Sequence, residues 1–247
     1  MPEKEQKLRD FVFGRTEEEL ESIRGNPEKV LALIDEFSAK DFLMNIGKPK
    51  GDFVLQRIAG SQVMAELGGY MGYSAIKFAS SLPSDGKYYS FEANPEFAEI
   101  AKSMVELAGI SQKVEIIVGP AKQTLVEFSQ RAGKPSKFDA VFIDHVNEMY
   151  LSDLRTLESL NLVSIGSVVL ADNMNHKRFS HAEDYDQYLQ LTTEEKKHFI
   201  DKHPNSNGQA YPGNWHIVWR NEHVDFQLDD INEIDTVMVS YADKYAE

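Results

Sequence analysis

Residues 63–82 read "VMAELGGYMGYSAIKFASSL", and their order decides the architecture. A short apolar run, 63–67, gives way to "GGYMG" at 68–72 and then to a stretch with helical spacing. Strand, tight turn and helix in succession open a βαβ unit. The alternation continues outward from it. "KYYSFEA" (87–93) is a second strand, followed by the helix "PEFAEIAKSMVELAG" (95–109), opened by Pro95 and closed by Gly109. "KVEIIVG" (113–119) and "AKQTLVEFSQRAG" (121–133) are the third pair, and "FDAVFID" (138–144) and "MYLSDLRTLESLNLV" (149–163) the fourth. "GSVVLAD" (166–172) is a fifth strand. This pattern predicts right-handed crossovers and a mostly parallel sheet. The near-continuous Val/Ile/Leu runs predict strands buried on both faces.

Residues 1–50 read as helical, with Asn26 as an N-cap, Pro27 at the first helical position, and Val30, Leu31, Ile34 and Phe37 at helix spacing. "MNIGKPKG" (44–51) reads as a loop because glycines and a proline interrupt it. Residues 178–214 read as polar and irregular, apart from a short helix in "TTEEKKHFIDK" (192–202). "WHIVWR" (215–220) is a late strand, and "INEIDTVMVSYADKY" (231–245) a final helix. No linker divides the 247 residues, so one domain is expected.

Composition narrows the function. A hydrophobic content of 42% supports a core, and no apolar run is long enough to span a membrane. The charged start, "MPEKEQKLRDF", lacks the apolar segment of a secretory signal. With no cysteine there is no disulfide framework, thiolate zinc site or cysteine nucleophile, and a cytoplasmic location is expected. The net charge of −14 disfavours nucleic acid, whose binding depends on neutralising phosphates. A small ligand with a divalent cation fits better. The oligomeric state stays open.

In such sheets ligands sit beyond the carboxyl ends of the strands. Gly68 and Gly69 permit a sharp turn and close approach of a ligand to the backbone. Tyr70 occupies the position where a dinucleotide fingerprint needs its second glycine, which disfavours a nicotinamide oxidoreductase. Glu92 ends the second strand about twenty residues on, where an acid accepts hydrogen bonds from ribose hydroxyls. Alone it reads as a capping or surface acid; with the glycine turn it favours an adenosine-type ligand. S-adenosylmethionine is such a ligand, with Glu66 facing its amino group and Gly119 and Ala121 its adenine. Two strands also end in oxygen ligands, Asp144 before His145 and Asp172 beside Asn173. These are either ordinary turn caps or a hard-metal site.

"MNIGKPKG", "AELGGYMGYSA", "FEANPEFAEIAKSMVELAGI", "VEIIVGPAKQTL", "FDAVFIDH" and "GSVVLADN" resemble, in order and spacing, the successive blocks of the catechol O-methyltransferase family over roughly residues 25–176. The resemblance implies an α/β, Rossmann-like class I methyltransferase fold. Its mostly parallel seven-stranded sheet would carry helices on both faces and an antiparallel last strand. S-adenosylmethionine would be the methyl donor, with Mg2+ as cofactor. It divides the chain into N-terminal helices with a donor-covering loop (1–50), a donor- and metal-binding core (60–176) and a divergent substrate-side region (178–214). By motif, Met44, Ile46, Glu66, Gly68, Tyr70, Tyr73, Ser74, Glu92, Ala93, Gly119, Ala121, Lys122, Asp144 and His145 would surround the donor. Asp144, Asp172 and Asn173 would bind Mg2+, and Phe42, Val146, Asn147 and Asn173 would face a diphenol acceptor.

The chain departs from the family pattern in one block. Where the family carries Asp-His-Trp-Lys, this sequence has Asp144, His145, Val146 and Asn147. The base lysine and one aromatic wall are thereby replaced. Lys122, Lys177, His145 and His176 are substitute bases to consider, and the family's late substrate acid falls among Glu183, Asp184, Asp201 and their neighbours. The expected activity is O-methylation of a catechol-like small molecule. The alternatives are a donor-binding protein with weak or no catechol activity, or an enzyme for another acceptor.

Overall fold

The computed structural model describes residues 3–175, 182–228 and 233–246. Ten α-helices and seven strands are found among them: α1 (Glu3–Phe13), α2 (Glu17–Glu21), α3 (Pro27–Ser38), α4 (Gly47–Arg57), β1 (Val63–Leu67), α5 (Tyr73–Ser81), β2 (Lys87–Glu92), α6 (Pro95–Leu107), β3 (Val114–Val118), α7 (Ala121–Ser129), β4 (Ala140–Ile143), α8 (Tyr150–Ser159), β5 (Val168–Ala171), α9 (Ala182–Gln190), α10 (Thr193–Lys202), β6 (Ile217–Leu228) and β7 (Glu233–Tyr245). The strands form one sheet in the order β3-β2-β1-β4-β5-β7-β6. β1, β4 and β5 pair in parallel, as do β2 and β3, whereas β7 runs antiparallel to both β5 and β6. This is the mostly parallel, seven-stranded sheet with its last strand reversed that the resemblance implies. Chain direction across the sheet switches between β1 and β4, the crevice where such folds place ligands.

Two compact units make up the chain: Met1–Gln62 with Gly68–Gly119, and Val63–Leu67 with Pro120–Glu247. In the first, α3 forms as its residues dictate. The Asn26 side chain accepts the Lys29 N–H at 3.1 Å, Pro27 supplies a preset φ, and Val30, Ile34 and Phe37 are buried. In the second, β1, β4 and β5 are buried almost throughout, which accounts for their unbroken apolar sequence.

Three local expectations are corrected. The loop expected at 44–51 is helical from Gly47, because Pro49 falls in the first turn, where its missing N–H costs no hydrogen bond. The irregular region 178–214 contains α9 as well as α10. Ala182, Tyr185, Asp186, Tyr188 and Leu189 recur at helical spacing and are buried, a stripe concealed by the acidic residues between them. The final helix is the strand β7. Its segment "TVMV" is rich in β-branched residues, and Val237, Met238 and Val239 are fully buried between β5 and β6. The strand satisfies its backbone on both edges, and complete burial of each such side chain contributes about 1.5–3 kcal/mol. Among the described residues, no helix is long and apolar enough to cross a membrane.

Candidate functional site

In the first unit, the glycine turn after β1 is organised by Glu92. Gly68 adopts φ +98° and donates its N–H to the carbonyl of Phe91 at 2.9 Å. Tyr70 is also left-handed, at φ +45°, and donates its N–H to Glu92 Oε2 at 2.7 Å. Glu92 Oε1 accepts the Asn94 N–H at 2.7 Å, and the Glu92 carbonyl accepts the Gly119 N–H at 2.9 Å. One buried acid thus braces the turn, the entry to α6 and the exit of β3. The Tyr70 hydroxyl donates to Glu5 Oε1 of α1 at 2.6 Å, and burial together with Glu5 raises the phenol's pKa. Burial likewise raises that of Tyr73, whose neighbour is Asp35. Ser74 and Ile46 are buried, whereas Ala93 is exposed. Phe42 and Met44 are exposed apolar residues, at 74% and 57%.

In the second unit, β4 and β5 pair with Ile143 opposite Ala171, so Asp144 and Asp172 leave adjacent strands at matching register. The Asp172 N–H donates to the Ile143 carbonyl at 2.9 Å, and the Asp144 N–H to that of Leu67 at 2.9 Å. Neighbouring strands lie about 4.8 Å apart, a spacing that lets both acids serve one ion. Asn173 follows at φ +56°, a left-handed conformation that Asn tolerates better than most residues. Its Nδ2 donates to Asp235 Oδ2 at 2.9 Å. Beside them Tyr150 is fully buried, and its hydroxyl has no hydrogen-bond partner among the described residues. Burial raises the pKa of that phenol, and Asp144, Asp172 and Asp235 add to the effect. Two carboxylates and an amide oxygen are the donor chemistry of a hard divalent cation. The partnerless hydroxyl among acidic groups also fits a hydrated ion. Among the described residues, no group of three or more His, Cys, Asp or Glu is arranged to hold a metal; this set contains only two carboxylates and one amide.

The replaced block lies in the same unit. Val146 is 60% exposed, and Asn147 opens a short 3-10 turn, its Nδ2 donating to the Asn173 carbonyl at 3.5 Å. His145 Nε2 is 2.7 Å from Asp153 Oδ2, and its ring stacks on Tyr150 at 5.2 Å. Its Nδ1 is buried and has no partner among the described residues. Glu66 is fully buried near the end of β1, and Ala121 and exposed Lys122 open α7. His176 and Lys177 lie outside the described residues. Asp144, Asp172, Asn173 and Asn147 are therefore gathered at one sheet edge. Sequence reasoning passed over Tyr150, Asp153 and Asp235. All three fell inside stretches read as helices, 149–163 and 231–245.

The family model described as O-methyltransferase matches residues 22–202. Catechol O-methyltransferase of Mus musculus is 36% identical over 181 residues, covering 69% of this chain and 68% of that protein. That of Bos taurus is 34% identical over 177 residues, covering 68% of this chain and 65% of that one. The matched stretch thus spans about two thirds of those relatives. Among solved structures, an O-methyltransferase from Streptomyces achromogenes in complex with SAM superposes with a TM-score of 0.61 at 20% identity. The match covers 98% of this chain and 100% of that one, and supports the fold. With 181 aligned residues and a family match across most of its length, this chain belongs to the O-methyltransferase family, alongside the catechol O-methyltransferases.

Proposed function

We propose that this chain is an S-adenosylmethionine- and Mg2+-dependent O-methyltransferase that methylates one hydroxyl of a vicinal diphenol. The observation that carries the reading is the oxygen set at the ends of β4 and β5, in a chain of this family. The names of the mammalian relatives support the acceptor class, and the donor held by the Streptomyces protein supports the cosubstrate. The chain's residues divide the work. Glu92, which accepts the Tyr70 and Asn94 N–H groups, would also accept hydrogen bonds from the ribose hydroxyls through its carboxylate. Asp144, Asp172 and Asn173 would hold the cation. When bound, Mg2+ supplies Lewis acidity at adjacent acceptor oxygens, and the sulfonium donor supplies an activated methyl group. Holding the acceptor oxygen in line lowers the entropic part of the barrier. Asn147 offers no basic group at the position of the family's lysine.

Asn147 and Val146 also support a second reading, a donor-binding protein with weak catechol activity or a different acceptor. A methyl-transfer assay across vicinal diphenols, with and without Mg2+, separates the two. Metal-dependent turnover supports the first, and donor binding without turnover of any diphenol supports the second.

Glu92→Ala is expected to weaken donor binding at least about tenfold by calorimetry, because each charge-assisted hydrogen bond to the ribose contributes roughly 1.5–3 kcal/mol. The unliganded melting temperature, measured alongside, reports the separate loss of the brace on the Tyr70 turn. An unchanged donor affinity removes Glu92 from the site.

A further inference from the structure

We propose that Asp235 is a positioning residue for the metal site: by accepting the Nδ2–H of Asn173 at 2.9 Å, it presents that amide's carbonyl oxygen to the cation. The inference rests on the reading of Asp144, Asp172 and Asn173 as Mg2+ ligands. An asparagine is an ambivalent ligand. Its oxygen attracts a cation and its NH2 repels one, yet the two ends have nearly the same shape. Some neighbour must decide which end faces the ion. A carboxylate has no hydrogen to donate, so of the two ends of the Asn173 amide Asp235 selects Nδ2, which turns Oδ1 toward the ligand position.

The surroundings hold Asp235 to this task. Its side chain is 2% exposed on β7, so it is not a solvated surface acid. Its Oδ1 accepts the Thr236 N–H at 2.9 Å, which fixes the carboxylate plane. The Met174 N–H donates to the Thr236 carbonyl at 2.8 Å, tying the residue after Asn173 to the same point on β7. Backbone and side chain of the turn after β5 are therefore both anchored to 235–236.

The test is Mg2+ titration of the full chain by calorimetry, with neither donor nor acceptor present. Asp235→Ala is expected to weaken Mg2+ binding about 10–100-fold, the usual cost of losing a group that orients a metal ligand. Asp235→Asn should also weaken it, because the new NH2 must oppose either the Asn173 amide or the Thr236 N–H. It keeps the residue's volume and decides the matter if Asp235→Ala fails to fold. Asp225→Ala is the control. Asp225 accepts the Thr236 hydroxyl at 2.7 Å, so its loss perturbs the same stretch of β7 without touching Asn173. It should retain wild-type Mg2+ affinity. Wild-type affinity in both Asp235 variants, or an equal loss in Asp225→Ala, overturns the proposal while leaving the metal reading intact. A wild-type protein that binds no Mg2+ overturns both.

Discussion

Asp172→Ala is expected to abolish metal-dependent methyl transfer while leaving donor affinity near that of the wild type. Asp172 is 2% exposed, and its N–H is anchored to β4, so its position is set by the sheet rather than by solvent. Losing it halves the carboxylate charge of the proposed set and leaves one carboxylate and one amide, a much weaker site for a divalent cation. Lewis-acid stabilisation is worth several kcal/mol, so turnover should fall on the order of 10³-fold or more. Chelator should produce the same loss in the wild type, reversed by adding Mg2+. Because Mg2+ binds only the folded protein, it should raise the wild-type melting temperature and leave that of Asp172→Ala unchanged. Full activity in chelator would leave the two strand ends as ordinary turn caps.

The second large effect concerns Asn147. An amide accepts no proton at neutral pH, so deprotonation of the acceptor falls to the metal site and solvent. Phenolic hydroxyls titrate near about 10, and turnover of the wild type should therefore climb as pH rises from neutrality. General-base catalysis typically contributes about 10²–10⁴-fold, which sets the ceiling for the gain on Asn147→Lys at neutral pH. The gain also depends on how far neighbouring positive charge lowers the pKa of the new lysine. If Lys122 or His145 already serves as base, the substitution leaves turnover flat and alanine at the true base abolishes it. pH–rate profiles of wild type and variant, measured on one good acceptor, separate these results. A wild-type rate already fast and independent of pH near neutrality refutes the missing-base reading.

Legibility in the sequence followed the range of the interactions involved. The βαβ core was readable because strand length, the glycine turn and helix signals such as Pro95 and Gly109 are encoded within a few residues. The pairing of Glu92 with the glycine turn was readable as a spacing. Its bracing of Tyr70 was not, since that bond joins residues 22 apart through a left-handed backbone. β7 was misread because its apolar residues also fit a helical period. The choice of strand depends on β5 and β6, whose edges no local window contains.

By itself, the sequence determined the order of strands and helices from β1 to β5, the family resemblance and the identity of the strand-end acids Asp144 and Asp172. Each of these follows from local periodicity or from a contiguous block of residues. Tertiary structure alone decided that Ile143 and Ala171 lie in register, that Tyr150 is buried beside those acids, and that Asp235, 62 residues from Asn173, holds its amide. Hydrogen bonds and charges act across a few ångströms of space whatever the distance along the chain, so only the folded sheet could bring these groups together.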